Sequence, residues 1–459
     1  MRTRLTWMVA ILTLVSIGVL MACSSKYTSS TDGLVVMPSQ GSLVMQSFSL
    51  DINNGRMGQI NNVNGPPTPG LPTAIILDPP GAFAYVIVTQ NPIVPGGGVT
   101  GIAAFPVASD GKLGAAGTTA PLNATAPTVT VGCVSPGGQI QDIMVQVLPT
   151  PVVPTSLVID SAGKYLFVAD AATSGQTQPY TCNGTTVTST VPVPGTVSVF
   201  AVSSGTLTEV ASSPFALPTD PGANTASASA LAVTPTAYPP LYSFCSGFTG
   251  PTTENLYVTD SVNYVLLNYS VSSTGILTPV PTSTTVGVST GAVPDGVTVD
   301  PCNRFVYVSN GGPGNNADTV SAYTICNAIA LPRCPRPDFS LLPVNNGVPF
   351  PVSPGDGPGP LTEDAYGSFL YVVDTASGLV SQFRISPTTG SLTALVPAFV
   401  AASLGANSIA IRSNDSWVFV ADKGPPSVVS QYAINLASGN LAAQTPTQTF
   451  NYPSGVAVK

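Results

Sequence analysis

Short runs in which apolar and polar residues alternate recur from residue 34 to residue 458, the period of two that marks half-buried β-strands. One such run carries a central aromatic and returns seven times, around Phe48, Phe105, Phe200, Tyr269, Tyr323, Phe383 and Tyr432. A second kind of run stands upstream, at 83–86, 165–168, 256–258, 305–308, 369–372 and 417–420. Before it comes a third, with apolar residues two apart, as in Ile75/Leu77, Leu157/Ile159, Leu231/Val233, Val297/Val299 and Ile409/Ile411. After the aromatic run a Gly-x-apolar turn follows at Gly55, Gly111, Gly205, Gly275, Gly390 and Gly439. The predicted unit is a four-stranded antiparallel meander. Two units depart from it. The third has an insertion over 171–195, and the fifth replaces its glycine turn by a stretch from Thr324 to Arg336.

The two ends complete each other. Residues 34–60 form a unit without a first strand, and 453–458 form a first strand without a unit. Pairing them closes the chain into an all-β, seven-bladed β-propeller over 34–459, which leaves no sheet edge open to another chain.

The strand ends Tyr257-Val258-Thr259-Asp260, Tyr307-Val308-Ser309-Asn310 and Tyr371-Val372-Val373-Asp374 resemble YVTN repeats. Together with the aromatic run and the Gly-x-Leu turn, they are similar to the lactonase-type seven-bladed propeller family, which includes 6-phosphogluconolactonases. The resemblance covers about residues 34–459 and rests on packing and turn residues. It implies the propeller and, as an alternative function, lactone hydrolysis; one fold hosts many functions, so the site has to decide.

Residues 1–22 read as an export signal, with Arg2 and Arg4 ahead of an apolar run from Trp7 to Leu20. Leu20-Met21-Ala22-Cys23 has the form of a lipobox, so the mature chain is expected to start at an acylated Cys23 with a tether over 23–33. Ser24 follows, where Asp would favour inner-membrane retention, which points to the outer membrane of the cell envelope. The membrane is thus a partner through the lipid alone.

Charged residues are scarce, 7% of the chain, and without Arg2 and Arg4 it keeps 11 Lys/Arg against 21 Asp/Glu. Nucleic acid is excluded as a partner, because phosphate binding needs a basic surface. The 44 Gly and 46 Pro fit many short strands and turns; regular Val, Ile, Tyr and Phe runs separate this chain from a disordered one. Apart from Cys23 there are six cysteines, an even number in an exported chain, which favours disulfides. Blade register places Cys133 beside Cys182, Cys245 beside Cys302 and Cys326 beside Cys334. With no histidine and no CxxC pair, neither a zinc site nor any other metal or cofactor is expected.

Lactone hydrolysis needs a base for water and donors for the developing oxyanion. Glu363 stands where the other first strands carry Leu77, Ile159, Val233, Val299, Ile411 and Val458, and a carboxyl buried there would be raised in pKa. The favoured alternative ends that strand at Gly359-Pro360 and leaves Glu363 and Asp364 in solvent. Arg384, in the third strand of the same blade, is a candidate counter-ion, although the second strand lies between them. Asp295 starts a first strand near the channel. Arg304 and Lys164 fall in turns and read as solvated. Asp170, Asp260, Asn310, Asp374 and Asp422 end second strands; they form either a carboxylate ring for a cation or, as favoured, caps on their own turns. The loop from Asn310 to Asp318 lacks the ordered acidic spacing of a calcium loop. The main functional reading is a lipid-anchored scaffold that binds a protein or carbohydrate at a propeller face. Lactone hydrolysis by Glu363, Asp295 and Arg384 is the alternative, with negligible turnover expected from so few catalytic groups.

Overall fold

The computed structural model describes residues 33–60, 65–91, 100–122, 128–134, 140–146, 152–218, 225–235, 254–280, 287–312, 318–326, 334, 339–352, 357–412, 417–449 and 451–459. The fold is all-β and propeller-like. Among the described residues the strands make seven antiparallel sheets of four or five strands, and two separate hairpins. In the third sheet the order is Pro154–Ile159, Tyr165–Asp170, Thr196–Ser203 and Thr206–Glu209, each strand beside its neighbour in sequence. The first sheet borrows its innermost strand: Val35 pairs with Val458 and Val36 with Ala457.

Second strands explain most of the packing. Tyr165–Asp170, Phe305–Asn310, Phe369–Asp374 and Trp417–Asp422 are buried along their whole length, because each lies inside its sheet and between two sheets. That is why they read as near-continuous apolar runs where a one-sided strand would alternate. The core is divided into seven clusters, each between two successive sheets. One of them sets Val35, Phe48 and Leu50 of the first sheet against Trp417 and Phe419 of the last.

The Gly-x-apolar turns join neighbouring sheets. Gly390 has φ +71, and a Cβ built there would lie 2.5 Å from the Phe305 ring of the preceding sheet. Gly55, Gly205, Gly275 and Gly439 likewise face Trp417, Phe83, Tyr165 and Phe369 with left-handed φ, a conformation that glycine adopts without strain. The turn carbonyls are used as well: Tyr307 Oη donates to Gly390 O at 3.0 Å, and Tyr371 Oη to Gly439 O at 2.8 Å. Sheet five lacks the glycine, and the strand that would supply the aromatic begins instead with Glu254-Asn255. There Asn255 Nδ2 donates to Asn268 Oδ1 at 3.0 Å, and Asn268 Nδ2 to Phe339 O at 2.8 Å.

The insertion in the third unit is a hairpin, Thr173–Cys182 with Thr185–Val193. A second hairpin, Thr128–Val134 with Ile140–Gln146, occupies what reads in sequence as a connection. Cys133 and Cys182 are bridged across the two hairpins with Cα atoms 5.8 Å apart. Cys326 and Cys334 are bridged with Cα atoms 5.3 Å apart. Cys302 is disulfide-bonded, while Cys245 lies outside the described residues, as does the expected acylation site Cys23. Among the described residues no helix is long and apolar enough to cross a membrane.

Candidate functional site

An antiparallel meander gives the assembly two distinct faces. Inner strands begin on the face that carries the second-to-third-strand turns; they end on the face that carries the other turns. A cavity of about 480 Å³ opens at the first of these faces, walled by the starts of the inner strands of sheets three to seven. Thr155, Ser156, Ser229, Asp295, Thr375 and Asn407 supply its polar wall, and Leu231, Val297 and Leu361 its apolar part.

The polar part of this wall is mostly Ser and Thr. Most of their hydrogens are committed to backbone. Thr155 Oγ1 donates to Ala169 O and Ala228 O at 3.2 Å each, Ser229 Oγ to Pro294 O at 2.6 Å, and Thr375 Oγ1 to Gly357 O at 2.7 Å. Ser156 Oγ accepts from Leu231 N at 3.3 Å and donates to no described residue. The Asn407 carbonyl oxygen is buried with no partner among the described residues.

Asp295 is the only charged residue of the described cavity wall. It retains open surface toward the cavity, yet the strands around it push its pKa above the ordinary 3.8 through loss of water. No hydrogen bond or ion pair with a described residue holds it.

A larger cavity, about 540 Å³, lies beside the outer strands of sheets two and three. Its one carboxyl, Glu209, is held by Ser213 Oγ at 2.9 Å. The cavity with Asp295 is therefore the better candidate.

The structure separates the other residues that the sequence put forward. Glu363 keeps the strand register, pairing with Leu370 at the end of Pro358–Glu363, so the strand does not stop at Gly359-Pro360. It is 6% exposed and Asp364 3%, which corrects the solvated reading of both. Neither Glu363 oxygen has a hydrogen-bond partner, and burial, followed by the nearby Asp300 and Asp364 carboxyls, raises its pKa well above 4.5. It lies at the end of its strand away from the cavity. Arg384 is not its counter-ion: Arg384 is exposed, stacks 4.8 Å from the Phe369 ring and donates to Ala437 O and Ser438 O at 3.4 and 3.3 Å.

The cation near Glu363 is Arg304, which the sequence placed in solvent. Its side chain is 8% exposed; Nη2 and Nε bind Asp300 at 2.5 and 2.9 Å, and Nη2 also donates to Gly367 O at 3.1 Å. The adjacent sheet makes the room, since a Cβ on Gly367 would collide with both partners. Lys164 is exposed as expected.

The acids ending second strands are buried, so no open carboxylate ring forms. Asp260 caps its turn by accepting from Val262 N and Asn263 N. Asp170, Asp374 and Asp422 accept from Ser198, Ser381 and Ser430 of the third strand, which corrects the turn-cap reading for Asp170 and Asp422. Burial raises Asp170 and Asp422 to about 7. No group of three or more metal-ligating residues occurs among the described residues, and 313–317 of the Asn310 to Asp318 loop lie outside them.

No family model and no curated protein matches the chain. Solved structures do. A candidate 6-phosphogluconolactonase from Bacteroides fragilis aligns with TM-score 0.60 at 13% identity, over 94% of this chain and 99% of that one. A candidate 6-phosphogluconolactonase from Bacteroides uniformis aligns with TM-score 0.60 at 14% identity, over 93% and 99%. A periplasmic gluconolactonase from Pseudomonas aeruginosa aligns with TM-score 0.56 at 18% identity, over 93% and 98%. At these identities the likeness establishes the fold.

Proposed function

We propose that the seven sheets are the blades of a closed seven-bladed propeller, and that its channel-mouth cavity is a lactonase-type site with Asp295 as the base. Core clusters between each pair of successive sheets, the last joined to the first, support the closure. The observation that carries the site is Asp295, an unpaired carboxylate with a raised pKa facing a cavity large enough for a sugar ring.

The step follows from that geometry. Ionised Asp295 takes a proton from water, and the hydroxide adds to the lactone carbonyl carbon. The ring C–O bond then breaks, and its oxygen receives the proton as the hydroxyl of a hydroxy acid. Ser156, whose hydroxyl donates to no described residue, is the wall residue suited to the carbonyl oxygen. The expectation of negligible turnover rested on the lack of histidine and the scarcity of cations; a carboxylate base answers the first of these. The activities named for the structural neighbours weigh toward hydrolysis over a pure scaffold. The disulfides suit an extracytoplasmic, oxidising compartment, and acylation of Cys23 would fix the propeller to the envelope.

A second reading, a binding scaffold for a carbohydrate or protein, is favoured by the absence of Lys or Arg from the described cavity wall. Hydrolysis of glucono-δ-lactone by the purified full chain separates the two. The lactonase reading predicts saturable turnover that Asp295→Asn lowers by roughly 10²–10⁴-fold, the usual contribution of a general base. Saturable binding without turnover would leave the scaffold.

A further inference from the structure

The cavity that supports the lactonase reading also restricts its substrate. We infer that it takes uncharged lactones and rejects their phosphate esters, an inference that rests on that cavity being the site. Its described wall carries one charge, and the charge is negative.

The described cations lie elsewhere. Arg56, Lys112, Lys164, Arg304, Arg412 and Lys459 all belong to turns on the opposite face, or follow a strand that ends there. Arg384 sits at that same end of its strand, reaching Ala437 and Ser438. Lys423 follows Asp422 on the cavity's face without lining the cavity. Arg333 and Arg336 lie outside the described residues.

Phosphate sites are built from Arg forks, Lys, or backbone N–H groups at a helix start. The described wall offers none of the three; the only helical turn among the described residues is the four-residue segment Val344–Gly347. The one charged group of the described wall is an acceptor. Asp295 calls for hydrogen donors on the ligand, while the hydrogens of Thr155, Ser229 and Thr375 are turned into backbone carbonyls. A ring of neutral hydroxyls supplies such donors. A phosphate supplies acceptors and a second negative charge beside Asp295, where reduced dielectric strengthens the repulsion.

The same asymmetry favours turnover. Opening a neutral lactone creates a carboxylate next to Asp295, so the product is repelled where the substrate was not.

The test is calorimetric titration of the full chain with gluconolactam, a stable uncharged analogue, and with its 6-phosphate ester. The neutral analogue should bind, and the ester at least about tenfold more weakly, about 1.4 kcal/mol. Asp295→Asn should narrow that gap. Equal or tighter binding of the ester would overturn the inference while leaving the site intact, and so would a gap that Asp295→Asn does not change. If neither analogue binds, both the site and the inference fail.

Discussion

Glu363 occupies a position that is apolar in the equivalent strands, and it is buried there beside Asp300 and Arg304 without a hydrogen bond of its own. Its folded pKa is raised above the ordinary 4.5. The sign follows: stability tied to the protonated side chain is fully present below about pH 4.5 and is lost as pH rises from there through the raised folded value, at up to about 1.4 kcal/mol per pH unit. Glu363→Gln removes that loss. The variant should match the parent near pH 4.5 and exceed it by about 1–2 kcal/mol at pH 8 in urea unfolding; identical pH dependence of the two would contradict this account. The repeat made the register of Glu363 readable, because seven copies align on their turns. The burial of Arg304 was not readable, since it depends on Gly367 of the next sheet, 63 residues away.

At the scale of elements, the glycine turn couples one sheet to the next. Gly184 gives a control, because it shares the left-handed φ of +79 in an inserted hairpin but has nothing within 4 Å of a built Cβ. Gly184→Ala should cost about 1 kcal/mol from backbone strain alone. Gly390→Ala should cost about 2–4 kcal/mol, adding overpacking against Phe305. Thermal unfolding of the two variants checks the difference, and equal losses would remove the ring contact from the account. These turns were legible as a Gly-x-apolar repeat, and their partners as the aromatics opening second strands; that the two meet needed the packing of adjacent sheets. The Thr128–Gln146 hairpin lies outside the repeat, so the repeat gave no sign of it.

Across the whole molecule, the described cations other than Lys423 lie at the face opposite the cavity. There Arg304 is locked into a sheet contact, while the cavity keeps one accessible carboxylate, Asp295. Sequence identified Asp295 by its place at the start of an inner strand. It did not identify Ser156 or Asn407, which look like ordinary strand residues until five inner strands bring them to one cavity. The central claim is that Asp295 is the base, and the pH dependence of kcat/KM for glucono-δ-lactone, corrected for spontaneous hydrolysis, tests it most directly. The account predicts a rate that climbs as Asp295 ionises, with an apparent pKa above 3.8, then levels off, and a limb that Asp295→Asn abolishes. A limb of the same height and midpoint in Asp295→Asn would contradict it.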